Sequence, residues 1–233
     1  MISPRTALAC MFLTFSTSSN ATLFFSEYVE GTSFNKALEL FNTEEPIDFS
    51  VDEYSIDIYV NGATTPRYTI DLSGTVDSQD AYVIGHSSAD EDITSVADML
   101  TGSLSFNGDD AITLVHNGVI VDRVGQVGVD PGSQWGTELT STQDNTLRRN
   151  TDILVGDVDA LLAFDPTVEW LGFPTNDFSN LGYHSIASVV PEITEISTSV
   201  PLPGSNALIA AGLLPLLISR AMRRRSAGVL VAA

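Results

Sequence analysis

The sequence predicts an all-β fold, a sandwich built from many short strands. Three observations carry that expectation. Short segments alternate apolar and polar residues with a period of two, as half-buried strands do. One segment carries an unmistakable hairpin signal, "AITLVHNGVIVDRVG". Strand-like runs recur about every 8–12 residues with turn residues between them, the spacing of an immunoglobulin-like β-sandwich.

In chain order, "TLFFSEYV" is the first strand, its alternation only partial after a double Phe. "KALELF" places Ala37, Glu39 and Phe41 on one face and Leu38 and Leu40 on the other. "EYSIDIYV" puts Ile56, Ile58 and Val60 on one face and Ser55, Asp57 and Tyr59 on the other. "RYTIDL" and "DAYVIG" follow. "ADEDITSVADML" is the one stretch patterned as a helix, because Ile93, Val96, Ala97 and Leu100 fall at i, i+3, i+4 and i+7. Ala111 to His116 and Val119 to Val124 are two apolar runs joined by Asn117-Gly118, a pair suited to a type I′ turn because both residues need positive φ. After His184, "SIASVVPEITEISTS" reads as a spacer.

The two ends read as addresses. "MISPRTALACMFLTFSTSSNA" has Arg5 as a positive start, an apolar core from Ala7 to Phe15 and the small-residue site Ser19-Asn20-Ala21, the pattern of a secretory signal peptide cleaved after Ala21. The alternative is an ordinary N-terminal helix. At the other end, Asn206 to Ser219 is an apolar run of 14 residues, about 21 Å as a helix. A bilayer core of about 30 Å needs about 20 residues, so the run is a short span interrupted by Pro215. The arginines after it favour the cytoplasmic side and leave the acidic body outside. The expected organisation is therefore signal peptide 1–21, sandwich domain 22–185, spacer 186–199, and a C-terminal sorting signal with a single hydrophobic helix over 200–233.

Charge narrows the partners. Between Glu27 and Glu195 lie all thirty acidic residues against five basic ones, Lys36, Arg67, Arg123, Arg148 and Arg149, a balance of −25. Such a surface repels phosphate backbones, so no nucleic-acid partner is expected. It either solvates and self-repels or collects divalent cations such as calcium. The only cysteine, Cys10, lies in the signal segment. A processed chain would hold no disulfide, thiolate zinc site or thiol nucleophile.

The candidate sites each have a structural alternative. Glu27 and Glu30 of "SEYVEG", with Glu39, could hold a cation, or form a solvated strand face and a surface ion pair with Lys36. Asn107, Asp109 and Asp110 of "FNGDDA" could hold calcium, or supply turn chemistry. Asp157, Asp159, Asp165 and Glu169 could act as paired carboxylates on a sugar, although nothing indicates a cleft. Trp135 and Trp170 are candidate ligand-facing rings, or anchors packed with Phe164 and Phe173. His86, His116 and His184 have no metal-pair spacing, and His116 is expected to be exposed. No G-x-S-x-G elbow, P-loop or dinucleotide fingerprint occurs. No catalytic residues are assigned.

Two resemblances add to this reading. Val200-Pro201-Leu202-Pro203-Gly204, the apolar run and Arg223-Arg224-Arg225 resemble the VPLPA variety of PEP-CTERM sorting signals of Gram-negative bacteria. Gly204 stands where that motif has Ala, and eight residues follow the arginines. The resemblance implies an exosortase-type processing enzyme and transient membrane association before processing. The body resembles bacterial lamin-tail domains through "LFFSEYVEGTSFNKALELFN", "GSLSFNGDDAITLV", "VDRVGQVGVDPGSQWG", "DNTLRRN" and "GDVDALLAFDPTVEWLGFPTNDFSNLGYH", together about Leu23 to His184. That resemblance implies an immunoglobulin-like sandwich of lamin-tail type, which in bacteria often accompanies secreted nucleases, phosphatases or other surface enzymes.

The expectation is thus an exported, surface-sorted, non-catalytic module with a structural, adhesive or binding role in the bacterial envelope or extracellular matrix. An extracellular polysaccharide or a surface protein is the expected partner, and no cofactor is required. The alternatives are a calcium-dependent polysaccharide-binding module or an accessory to a secreted nuclease or phosphatase.

Overall fold

In the computed structural model, which describes residues 23–187, the alternating segments assemble into two facing antiparallel sheets. The strands in chain order are β1 (Leu23–Glu30), β2 (Lys36–Asn42), β3 (Ile47–Asp48), β4 (Tyr54–Tyr59), β5 (Tyr68–Asp71), β6 (Thr75–Val76) and β7 (Ala81–His86). A one-turn helix, α1 (Glu91–Thr94), leads to β8 (Met99–Thr101), β9 (Ala111–His116) and β10 (Val119–Val124). Then come β11 (Gly136–Thr137), β12 (Thr140–Ser141), β13 (Asn145–Arg149), a 3₁₀ turn (Pro166–Val168) and β14 (Trp170–Pro174). The larger sheet runs β14-β13-β1-β2-β7-β8 and the smaller β10-β9-β4-β5. Every pairing is antiparallel except β7 with β8.

The partial alternation of the first strand has a cause. A β-bulge between Phe25 and Glu27 inserts one residue and reverses the parity of the strand. Leu23 and Phe25 before it, and Tyr28 after it, therefore all join the core between the sheets. They meet Leu38, Leu40, Tyr82, Ile84 and Leu147 of the larger sheet, and Ile56, Ile58, Ile70, Ile112 and Leu114 of the smaller.

The opposite face of the larger sheet is also covered. Val29, Ala37 and Val83 pack against Ile93 of α1 and against Leu181 and Phe178 of the segment after β14. Hence all residues of β1 and β2 are buried. The segment 175–184 acts as a strap across the outer face. Gly85 of β7 lets α1 approach, since a Cβ there would lie 2.8 Å from Ile93 Cγ2.

The Asn117-Gly118 turn forms as expected, with φ of 49° and 78°, and it pairs Val119 with His116. The expected helix does not. Only Glu91–Thr94 is helical, and Met99–Thr101 becomes an edge strand. Val96 and Leu100, which the periodicity places on an apolar helical stripe, are exposed. The physical reason is local: Asp98 accepts the Val83 N–H through its side chain (2.8 Å) and donates its own N–H to Val83 O (2.9 Å). That exchange draws the chain beside β7 before a second helical turn can form. Among the described residues, no helix is long and apolar enough to cross a membrane.

The signal-peptide and sorting-signal expectations lie outside the described residues. So do Ala21, Val200, Pro201, Leu202, Pro203, Gly204, Arg223, Arg224 and Arg225.

Candidate functional site

Three charged constellations are built into the sandwich, and shallow pockets open on its surface, one of them at the edge strand β5. The first constellation joins the two sheets. Asp122 of β10 and Arg149 of β13 are fully buried and meet at 3.0 Å. The Asp122 carboxylate also accepts the Phe25 N–H at the β1 bulge (2.7 Å) and the Asp157 N–H (2.8 Å). Arg149 reaches Glu169 (2.6 Å) and stacks over the Trp170 ring, 4.7 Å from its centroid. A buried ion pair offsets its desolvation better when its remaining polar atoms find partners; the bulge supplies one for Asp122, while Arg149 Nε is buried without one.

The second lies beside it. Arg123 forks onto Asp157 (2.9 and 2.6 Å) and donates to the carbonyls of Gly125 (3.0 Å) and Leu162 (2.6 Å). It thereby pins the 157–163 segment to the end of β10. A cleft of about 140 Å³ opens here, lined among others by Asp157, Phe164, Asp165 and Glu169. All four carboxylates considered for sugar chemistry are engaged. Asp157 and Glu169 pair with arginines, Asp159 accepts the Leu161 N–H, and Asp165 accepts the Thr167 N–H and hydroxyl.

The third lies beneath the strap. Glu27 and Glu39 sit directly opposite each other on β1 and β2, both fully buried. They are therefore not the solvated strand face that the alternation suggested. Glu27 pairs with Arg148 (3.1 Å), which also holds Asp177 of the strap (2.8 Å). Glu39 accepts the Ser26 hydroxyl (2.6 Å) and the N–H groups of Gly182 (2.6 Å) and Tyr183 (3.1 Å). Burial is the main force on Glu27 and pushes its carboxyl up to about 8, against the lowering pull of Arg148; burial raises Glu39 as well. Glu27 Oε1 is buried without a hydrogen-bond partner. Glu30 does pair with Lys36 (3.1 Å), but the pair is buried rather than at the surface.

The other candidates resolve into structure. Asp110 accepts the Asn107 N–H (3.0 Å), which is turn chemistry, and the N–H of distant Asn61 (2.9 Å), which ties the turn to the end of β4. Asp109 is buried, and its Oδ1 has no hydrogen-bond partner. Among the described residues no group of three or more His, Cys, Asp or Glu could hold a metal ion.

Trp135 is 7% exposed and Trp170 2% exposed, so neither ring has a face free for a ligand. Trp135 packs with Tyr59, Ala111 and Phe164, against Gly125, where a Cβ would lie 2.7 Å from the ring. Phe173 stacks under Arg148 at 4.0 Å. His86 stacks on Phe34 and His116 on Tyr54, so His116 is partly covered rather than free. His184 lies edge-on to Phe24 and Phe41, and burial, helped by the charge of Arg149, pushes it down to about 4.

Reading the sequence missed the arginines as organisers. A partial signal was present: Lys36 and Arg123 sit in or beside the apolar strand segments "NKALELF" and "VIVDRVG", whereas nothing local in "NTLRRN" marks Arg148 and Arg149 as buried.

The edge pocket holds about 250 Å³ and is lined by Val60, Arg67, Tyr68, Ser105, Phe106, Asn107 and Asp110. It lies where the segment after β8 crosses between the sheets beside β5.

A lamin tail domain family model matches residues 16–128. No curated protein and no solved structure matches the chain. The match runs through β10, yet β13 pairs with β1 and β14 with β13, so residues beyond the matched stretch complete the larger sheet.

Proposed function

We propose that this lamin-tail-like sandwich is an exported, non-catalytic module that presents a rigid acidic surface in the bacterial envelope or extracellular matrix. The observation that carries the reading is how the chemistry-bearing side chains are used. Asp122, Asp157, Glu27, Glu39, Glu169 and four of the five body cations are engaged in holding strands and strap together. A hydrolase would keep an acid and a base accessible in a cleft. Family resemblance supports the same direction, because lamin tail domains are immunoglobulin-like and generally non-catalytic.

Export rests on the two terminal signals. The signal peptide would deliver the body across the membrane, and the VPLPG motif with its arginine cluster would hold it there for an exosortase-type enzyme. The test is mass spectrometry of the mature termini together with fractionation of native cells. Export predicts an N-terminus at Thr22 and a C-terminus near Pro203. Full-length protein confined to the cytosol would overturn it.

Calcium-dependent binding is the second reading, favoured by the buried, unpartnered Oδ1 of Asp109. A rise in melting temperature at millimolar calcium would support it, and an unchanged melt would remove it.

A further inference from the structure

Arg67 stands apart from every other cation of the body. Lys36, Arg123, Arg148 and Arg149 each have a carboxylate partner within 3.1 Å. Arg67 has none among the described residues, although the body carries thirty acids. It is exposed, at the start of the edge strand β5. Its side chain is nevertheless placed: Nε donates to Tyr68 Oη at 3.1 Å, and Cζ lies 5.4 Å from the centre of the Tyr68 ring. With Nε used, the two terminal nitrogens form a free fork of the geometry that binds a carboxylate in two parallel hydrogen bonds. A guanidinium already held in place loses less freedom on binding.

The surroundings say what else the ligand carries. Residues 104–107 alternate in burial, with Leu104 and Phe106 buried in the core and Ser105 and Asn107 exposed on the pocket side. Phe106 packs on Tyr28, ring centres 5.2 Å apart, so this wall is rigid. Two neutral hydrogen-bonding side chains therefore flank one cation, with the partly exposed apolar surface of Val60 and Tyr68 beside them. Asp110 also lines the pocket, but both of its oxygens accept backbone N–H groups. At about 250 Å³ the space is smaller than the roughly 300–1,000 Å³ of drug-sized sites and takes one ring-sized unit.

We infer that the Arg67–Tyr68–Asn107 pocket binds the carboxylate of an acidic sugar, a uronate unit of an extracellular polysaccharide. The carboxylate meets the Arg67 fork, the ring hydroxyls meet Ser105 and Asn107, and the ring lies on Val60 and Tyr68. The −25 body repels polyanions dense in charge. A polymer that dilutes single carboxylates among neutral hydroxyls is favoured over an acidic peptide or a nucleic acid. The inference rests on the reading of the chain as an exported surface module and names its ligand.

The test is titration of the full chain with glucuronate, with glucose and with a glutamate-containing tripeptide, followed by calorimetry or amide chemical shifts. Glucuronate is expected to bind in the millimolar range and to shift the amides of residues 67–68 and 105–107, with glucose silent and the tripeptide at least tenfold weaker. Arg67→Lys keeps the charge but not the fork and should weaken glucuronate at least tenfold at unchanged melting temperature. Arg67→Ala should abolish binding. Undiminished binding by Arg67→Ala, equal binding of glucose, or equal binding of the tripeptide would each overturn the inference. If the protein proves exported but does not bind glucuronate, the ligand assignment falls and the module reading stands. If it is confined to the cytosol, the module reading falls first.

Discussion

At the scale of single residues, the buried titratable groups set the pH response. Glu27 is neutral in the folded chain up to about 8 because burial keeps its proton on, whereas the unfolded chain loses that proton near the ordinary carboxylate value. The stability it contributes is complete below about 4.5 and is lost as the pH climbs to about 8. At about 1.36 kcal/mol per pKa unit the full loss is of order 2–5 kcal/mol. Glu27→Gln keeps the shape and neutrality of the protonated acid. We expect it to match the parent at pH 4 and to exceed it by several kcal/mol at pH 9 in urea unfolding; equal stability at pH 9 would contradict the burial argument. His184 slopes the other way. Held down to about 4, it stabilises above about 6.5, and that contribution is lost as the pH falls towards 4. His184→Phe, which keeps the contacts with Phe24 and Phe41, should lose the acid-side decline. Glu30, Glu39, Asp110 and Glu169 are raised by burial as well and slope the same way as Glu27, so between 4.5 and 6.5 His184 offsets only part of the decline, and the parent's stability should fall more steeply above 6.5.

At the scale of elements, the joint between β10 and β1 concentrates the most stability in one carboxylate. Asp122→Ala leaves Arg149 with Glu169 as its one remaining carboxylate and removes the acceptor for two backbone N–H groups. Breaking one side of a buried pair costs about 3–5 kcal/mol. The double replacement Asp122→Leu with Arg149→Met should recover part of that loss in equilibrium unfolding, and no recovery would show that the backbone bonds, not the charge pair, carry the joint. The β9–β10 turn is a smaller case. At Gly118 an added Cβ would meet nothing within 4 Å, so Gly118→Ala tests conformation alone and should cost about 1 kcal/mol, read as a shift in the urea midpoint. This turn was legible in two letters, because Asn-Gly encodes its geometry locally. The helix over 89–100 was misread for the opposite reason. Its apolar spacing is real, but Asp98 binds Val83, fifteen residues away, and no local period records such a partner. The burial of Glu27 and Glu39 was hidden in the same way, since the strap that covers them lies about 140 residues downstream.

At the scale of the whole molecule, strand identity could be read along the chain while the covering of the larger sheet could not. Alternation marks a strand as half-buried, yet β1 and β2 are buried on both faces, as only a three-layer arrangement allows. The third layer is α1 and the strap, and the strap's own sequence is polar apart from Phe178, Leu181, Gly182 and the exposed Tyr183. This bears on where the folding unit ends. The matched stretch stops at Gly128, before β13, β14 and the strap. A fragment ending at residue 128 would leave β1 as an open edge, and Asp122 would lose Arg149. A fragment of 22–174 would keep both sheets but uncover Val29, Ala37, Val83 and Ile93 and leave Glu39 without the Gly182 and Tyr183 N–H groups. Exposing Val29, Val83 and Ile93 at about 1.5 kcal/mol or more each comes to roughly 4–5 kcal/mol, close to the low end of the about 5–15 kcal/mol that holds an average domain folded. Fragment 22–187 should therefore unfold in one cooperative transition by circular dichroism and calorimetry, and fragment 22–128 should show none. Fragment 22–174 should melt at least 15 °C lower than 22–187 or fail to fold. A fragment 22–174 as stable as 22–187 would show that the strap is an appendage rather than the third layer.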